Sequence, residues 1–165
     1  MLNTIAPRAI AGLQPALQPE IWHQTGARDA KQVAQSYAEH GMNVRVSAFI
    51  DDMAAAYAWA DLALCRAGAL TVSELAAAGL GALLVPFAAA VDDHQTCNAA
   101  FLAHAGAAVM LPEAQLTAPA LSNSLAALLS DRNRLLDMAR RARQRAKTNA
   151  AEVVADACVQ AGGLA

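Results

Sequence analysis

The stretch Leu62–Gly79 constrains the fold more than any other part of the chain. Leu62-Ala-Leu-Cys65 is an apolar run of strand length, and after Arg66-Ala67-Gly68 the pattern turns helical, with Leu70, Leu75 and the alanines suited to one face as far as Gly79. A strand that gives way to a helix within three residues is half of a βαβ unit. The start of such a helix carries unpaired N–H groups and about half a positive charge, which suits it to hold phosphate. Gly68 has no Cβ to keep a ligand from the backbone. Thr71 and Ser73 add hydroxyls, and Glu74 adds a carboxylate one turn further in, able to accept from both hydroxyls of a ribose. The same residues would also serve as a plain helix cap, and the turn by itself leaves both readings open.

Four further apolar runs surround this unit. Residues 20–26 read as a short strand stopping at Gly26, and 43–49 alternate as a strand does. Gly81–Phe87 is wholly apolar, as expected of a strand covered on both faces of a parallel sheet. Ala107–Leu111 is the last strand. Helices are expected over 3–18, with Pro7 in a first turn and Pro15 kinking or ending it, and over 29–40, stopped by Gly41. Others are expected over 53–60 (capped by Asp51 or Asp52), 69–79, 94–104, 116–129, 132–147 and 149–160. Five strands alternating with helices predict an α/β, Rossmann-like fold with a mainly parallel sheet and helices on both faces. Residues 1–165 are expected to form one domain, with about 130–162 as a helical extension. A doubly wound sheet usually opens on a strand and a phosphate-binding turn. This chain opens on a helix, so one sheet position is expected to lie uncovered, as in a fragment.

Composition narrows the function classes. The net charge of −2 argues against a general nucleic-acid-binding surface. Although 56 % of residues are hydrophobic, no apolar run reaches the ~18 residues of a spanning helix. The first residues lack the basic start and apolar centre of a secretory signal, so a cytoplasmic location is expected. Cys65, Cys97 and Cys158 are far apart and outside any CxxC pair, which suggests reduced thiols.

In an open α/β sheet ligands sit at the carboxyl ends of the strands. The residues expected there are 23–26, 49–52, 66–74 and 87–98. Phe49 and Ile50 would lie against a flat base, with the main chain of Ile50 meeting its edge; Ile50 as a core residue is the competing reading. Asp92-Asp93-His94-Gln95 invites a metal, but no partner cluster supplies the remaining ligands, so neither metal nor cofactor is expected. The cluster reads better as a helix start, with Gln95 and Asn98 on one face offering amides to sugar hydroxyls. His23 and His104 read as structural histidines. The basic run Arg140–Lys147 reads as a solvated helix face, with anionic-lipid contact as the alternative.

In order and spacing, Ile21-Trp-His-Gln-Thr-Gly26, Phe49-Ile-Asp-Asp-Met53, Arg66-Ala-Gly-Ala-Leu-Thr-Val-Ser-Glu74, Ala78-Gly79, Val85-Pro86 and Asp92-Asp-His-Gln-Thr-Cys-Asn-Ala99 resemble the MurG family. These are bacterial transferases that move N-acetylglucosamine from its UDP donor to a lipid-linked muramoyl-pentapeptide in peptidoglycan synthesis. The motifs cover most of 20–110. The resemblance implies the C-terminal, donor-binding domain of a two-domain GT-B enzyme. It implies uracil on the backbone of Ile50, diphosphate at Gly68, Ala69, Leu70, Thr71, Val72 and Ser73, and ribose on Glu74. N-acetylglucosamine would sit on Gln95 and Asn98, with Arg66 near the nucleotide. Transfer would be inverting and metal-independent, at the cytoplasmic face of the inner membrane.

The family's N-terminal domain, with the acceptor site and proposed base, has no counterpart in these residues; nor does the glycine-rich turn, with its strand, that opens the C-terminal domain. Ala88-Ala89-Ala90 stand where the family commonly carries a histidine. No catalytic residue is therefore expected in this chain, which alone would be inactive. A non-catalytic UDP-sugar-binding module, and the nucleotide domain of another sugar enzyme such as a UDP-N-acetylglucosamine epimerase, are the alternatives.

Overall fold

The computed structural model describes residues 1–88 and 93–162. Five strands alternate with helices: α1 (Leu2–Ala11), β1 (Trp22–Gln24), α2 (Ala30–Glu39), β2 (Arg45–Ser47), α3 (Met53–Trp59), β3 (Ala63–Cys65), α4 (Ala69–Ala78), β4 (Ala82–Leu84), α5 (His94–Ala103), β5 (Ala108–Met110), α6 (Ala118–Leu129), α7 (Arg132–Gln144) and α8 (Ala150–Ala161). Every paired strand is parallel. The strands nevertheless form two sheets, β1-β2 and β3-β4-β5, rather than one continuous sheet.

The period of two along β4 builds both halves of the core. Leu83 and Val85 point to one face and join α1, α2, α6 and Met138 of α7. Ala82 and Leu84 point to the other, against Val72, Leu75 and Ala76 of α4 and Ala99 and Leu102 of α5. β4 is buried throughout, as a wholly apolar strand should be. β3 is only half-buried, although its sequence is as apolar. The difference lies in the neighbours: β4 has a strand on each side, and β3 has one only.

Local chemistry sets the helix limits. Asp52, Thr117 and Asp131 each accept a backbone N–H three residues on and so start α3, α6 and α7. α4 ends at Gly79, whose φ of 69° is left-handed. Pro7 lies inside α1 rather than in its first turn. The chain leaves α1 at Gly12, ahead of a short 3-10 turn at Pro15–Leu17. A second such turn, Glu113–Gln115, follows β5 and was not expected.

The basic residues of the run Arg140–Lys147 are all exposed, as a solvated face should be, and three of its arginines also make surface contacts. Arg143 donates to the Ala77 carbonyl near the end of α4. Arg145 lies over Phe101, 4.3 Å from the ring centre, and Arg140 pairs with Asp137 at 3.1 Å. α8 has no buried residue and exposes Val153, Val154 and Val159.

His23 is structural. Asn3 Nδ2 donates to the Thr25 carbonyl and the Asp29 carboxylate, at 2.9 and 2.8 Å. Its Oδ1 is therefore an acceptor and takes the Nε2–H of His23 at 3.2 Å, while the Tyr37 hydroxyl donates to Nδ1 at 3.0 Å. Burial holds the imidazole below its ordinary value of 6.5.

Two outcomes follow. Leu83→Ala, at a site with no exposure, is expected to cost about 2–5 kcal/mol of stability by urea denaturation. Because the native state disfavours protonated His23, the unfolded chain binds that proton first as the pH falls. Stability is therefore expected to decline from pH 6.5 down to the lowered native value. His23→Gln should flatten the unfolding free energy across that window and leave the carboxylate-driven loss at lower pH in place.

Candidate functional site

α4 opens on a bare N-terminus. Gly68 precedes it in extended conformation, and no side chain caps it. The first amide to find a backbone acceptor is that of Val72, on the Gly68 carbonyl at 2.9 Å. Among the described residues, the N–H groups of Ala69, Leu70 and Thr71 therefore remain unpaired at the positive end of a ten-residue helix. A Cβ at Gly68 would meet only Thr71 Oγ1, at 3.5 Å, so the protein leaves that approach open. Leu70 is 79 % exposed despite its type, and Ser73 turns its hydroxyl back to the Ala69 carbonyl.

Glu74 is fixed from across the gap between α3 and α4. The Tyr57 hydroxyl donates to its Oε2 at 2.9 Å. Burial, and then the Glu74 carboxylate, push the Tyr57 phenol well above its usual range, so Tyr57 acts here as a donor. One carboxylate oxygen is thereby held and the other stays on the surface.

Ile50 is buried, and its N–H is already donated to Gln24 Oε1 at 2.8 Å. Core residue and site residue are thus compatible readings for Ile50: the side chain packs while the main chain sits at the strand ends. Its N–H reaches a ligand only in exchange for Gln24. The neighbouring Phe49 is 68 % exposed.

Arg66 binds protein groups. One nitrogen donates to the Val85 and Pro86 carbonyls, each at 3.2 Å, and another pairs with Glu113. The second oxygen of Glu113 accepts the Ala88 N–H at 2.9 Å. That bond first, and Arg66 second, hold the Glu113 carboxyl below its usual range. Arg66 and Glu113 together clamp the chain as it leaves β4. Gln95 Oε1 accepts the Phe87 N–H at 3.0 Å on the same segment, leaving its amide nitrogen as a donor. Asn98 donates to the Ala67 carbonyl at 3.1 Å, beside the α4 turn. Asp93 ahead of α5 has a φ of 52°, and its carboxylate accepts the Thr96 hydroxyl. Ala89, Ala90 and Asp92, of the alanine and Asp-Asp-His readings, lie outside the described residues. Among the described residues no three His, Cys, Asp or Glu side chains group to hold a metal. Burial pushes the Cys65 thiol up to about 12, which makes it a poor nucleophile.

Arg66, the α4 turn, Gln95 and Asn98 are thus joined through contacts at the ends of β3 and β4, and Ile50 lines the same cleft as Arg66 and Thr71. Residues 2–155 match the glycosyltransferase family 28 C-terminal domain. The chain belongs to that family. It is 52 % identical over 165 residues to a protein of Acidithiobacillus ferrooxidans named UDP-N-acetylglucosamine--N-acetylmuramyl-(pentapeptide) pyrophosphoryl-undecaprenol N-acetylglucosamine transferase, covering 99 % of this chain and 46 % of the relative. A transferase of the same name from Chromohalobacter salexigens is 53 % identical over 161 residues, with 97 % and 44 % covered. The crystal structure of Acinetobacter baumannii MurG superposes with a TM-score of 0.87 at 42 % identity, over 94 % of this chain and 46 % of that one. The chain thus spans about half the length of the relatives it matches. The family 28 C-terminal fold is the one described above: parallel strands flanked by helices.

Tyr57 and Glu113 are contributors that sequence reasoning missed, and Gln24 is one that it placed only in general terms, among residues 23–26 at the strand ends. Gln24 stood inside a quoted motif without a role. Glu113 follows the last strand, where the strand-end rule applied to β5 would have pointed to it. Nothing local marks Tyr57. Glu113→Ala is expected to cost about 1–3 kcal/mol, as for a lost hydrogen bond to a charged group. Amide exchange should speed up at Phe87 and Ala88 while α6 stays protected.

Proposed function

We propose that residues 1–165 form the UDP-N-acetylglucosamine-binding part of an inverting N-acetylglucosaminyltransferase. The whole enzyme would convert undecaprenyl-pyrophosphoryl-MurNAc-pentapeptide (lipid I) to lipid II in peptidoglycan synthesis, and so serve cell-wall growth, shape and division. The observation that carries this reading is the uncapped start of α4, with Glu74 held one turn in by Tyr57, in a family 28 chain.

The diphosphate lies at the start of α4, along Gly68, Ala69, Leu70, Thr71, Val72 and Ser73, and takes the unpaired N–H groups of Ala69, Leu70 and Thr71, where the helix dipole favours negative charge. As the bond to the sugar breaks, negative charge grows on the departing diphosphate. The same N–H groups stabilise it without a metal, already oriented before the reaction begins. Glu74 accepts from the ribose hydroxyls. Ile50 offers its carbonyl to the uracil edge, and its N–H once Gln24 turns away. Gln95 and Asn98 address the sugar. Arg66 acts on the nucleotide chiefly by holding the loop after β4 in place. Acceptor binding and proton removal come from groups outside these residues, so the chain alone transfers nothing. The acceptor is lipid-linked, which places the enzyme peripherally at the cytoplasmic face of the inner membrane. No helix among the described residues is long and apolar enough to cross a membrane.

The test is calorimetric titration of the purified chain with UDP-N-acetylglucosamine, alongside Glu74→Ala. Saturable binding is expected, weakened in the variant by about 1–3 kcal/mol. A folded chain that binds the donor equally well without the Glu74 carboxylate would refute the ribose assignment. Robust transfer by the chain alone would refute the placement of the base elsewhere.

A further inference from the structure

Glu74 lies beyond the first turn of α4, too far in to cap the helix, and its side chain is exposed. An exposed glutamate turns about three side-chain bonds, and a ligand that uses it has to stop that motion at a cost in entropy. Here one contact restrains the motion in advance. The Tyr57 hydroxyl donates to Glu74 Oε2 at 2.9 Å. Among the described residues no ion pair takes the carboxylate, so Tyr57 sets its direction without neutralising its charge.

Tyr57 is well suited to act as a brace. Its ring packs against the core between α4 and α5, and a tyrosine reaches its hydroxyl through only two torsions. Burial, and then Glu74, raise the phenol well above its usual range and keep the donor proton in place. A bond that served only to fasten α3 to α4 would do as well with any acceptor on α4. This one takes the single carboxylate that α4 carries.

The placement of Tyr57 on α3 adds a second link. α3 starts at Met53 behind Asp52, whose side chain accepts the Ala55 N–H at 2.9 Å. Ile50, whose main chain is assigned to the base, lies just ahead of that cap on the same stretch of chain. A nucleoside holds its base and sugar at a fixed spacing through one bond, so the groups that meet them have to keep that spacing too. α3 ties the two together: its start follows Ile50, and its Tyr57 holds Glu74.

We propose that Tyr57 is a positioning residue for nucleotide recognition. It presents the Glu74 carboxylate to the ribose diol and sets its distance from the base subsite at Ile50, without touching the ligand itself. The inference rests on the donor reading of Glu74 and extends it to a residue on another helix.

The test is calorimetric titration of the full chain with UDP and with 2′,3′-dideoxy-UDP, which offers Glu74 no hydroxyl. The proteins are the wild type, Tyr57→Phe, Glu74→Ala and the double variant, with Tm measured for each. Tyr57→Phe keeps the ring in the core and is expected to fold. It should weaken UDP by about two- to tenfold, the cost of ordering a side chain on binding, and leave the dideoxy ligand unchanged. In the Glu74→Ala background the same substitution should cause no further loss, because the two residues act through one contact. A loss equal for both ligands, a loss that persists without Glu74, or unchanged UDP binding in Tyr57→Phe would each overturn the proposal and leave the ribose assignment standing. If Glu74→Ala itself binds UDP as the wild type does, the ribose assignment fails and the proposal with it. A folded wild type that binds neither ligand removes the donor reading as a whole.

Discussion

A parallel strand is stable when its faces are covered and its edges are paired, and β4 is the one strand here that meets both conditions fully. Its alternating side chains hold together the α1–α6 layer and the α4–α5 layer, which otherwise have little reason to stay in register. The α4 turn, the clamp on the loop after β4 and the amides of α5 are all positioned from β4 or from the strands beside it. The site is therefore only as well ordered as that strand's packing. β1 and β2 reach this frame through helices rather than through a continuous ladder, while the Gln24–Ile50 hydrogen bond ties β1 to the chain after β2.

Within the site, most polar groups are already engaged with one another. Arg66 ties Glu113 to the Val85 and Pro86 carbonyls, Gln95 holds Phe87, and Asn98 holds Ala67. Such a network resists distortion, because removing one member leaves the others with unmet hydrogen bonds. Among the described residues the N–H groups at the start of α4, the Gln95 amide nitrogen and one side of the Glu74 carboxylate are left to meet a ligand. Under the proposed donor binding, these are the groups that a diphosphate, the sugar and a ribose diol would meet.

The alternation of apolar runs and helical stretches made the order of the five strands and eight helices among the described residues legible, because each depends on neighbours in sequence. Gly41, Gly79, Asp52 and Asp131 marked the ends for local reasons. The strands came out shorter than their apolar runs, three residues each, since pairing and not hydrophobicity sets their length. The uncovered sheet position was legible from topology, although not its consequence, the split into two sheets. The Arg66–Glu113, Ile50–Gln24 and Tyr57–Glu74 contacts join residues 47, 26 and 17 apart in sequence, and no local pattern encodes such pairs. The basic run Arg140–Lys147 was legible as a solvated face, since its arginines and lysine are exposed, whereas the contacts of Arg143 with Ala77 and of Arg145 with Phe101 join residues far apart in the chain and were not.

Arg143 also bears on α4 itself. Its guanidinium sits on a carbonyl near the end of that helix, where a cation offsets the negative pole of the dipole. α4 thus has a cation at its rear and, among the described residues, no cap at its front, so the two ends of one helix are treated in opposite ways. The front is left for an anion to complete, while the rear is already satisfied from within the fold.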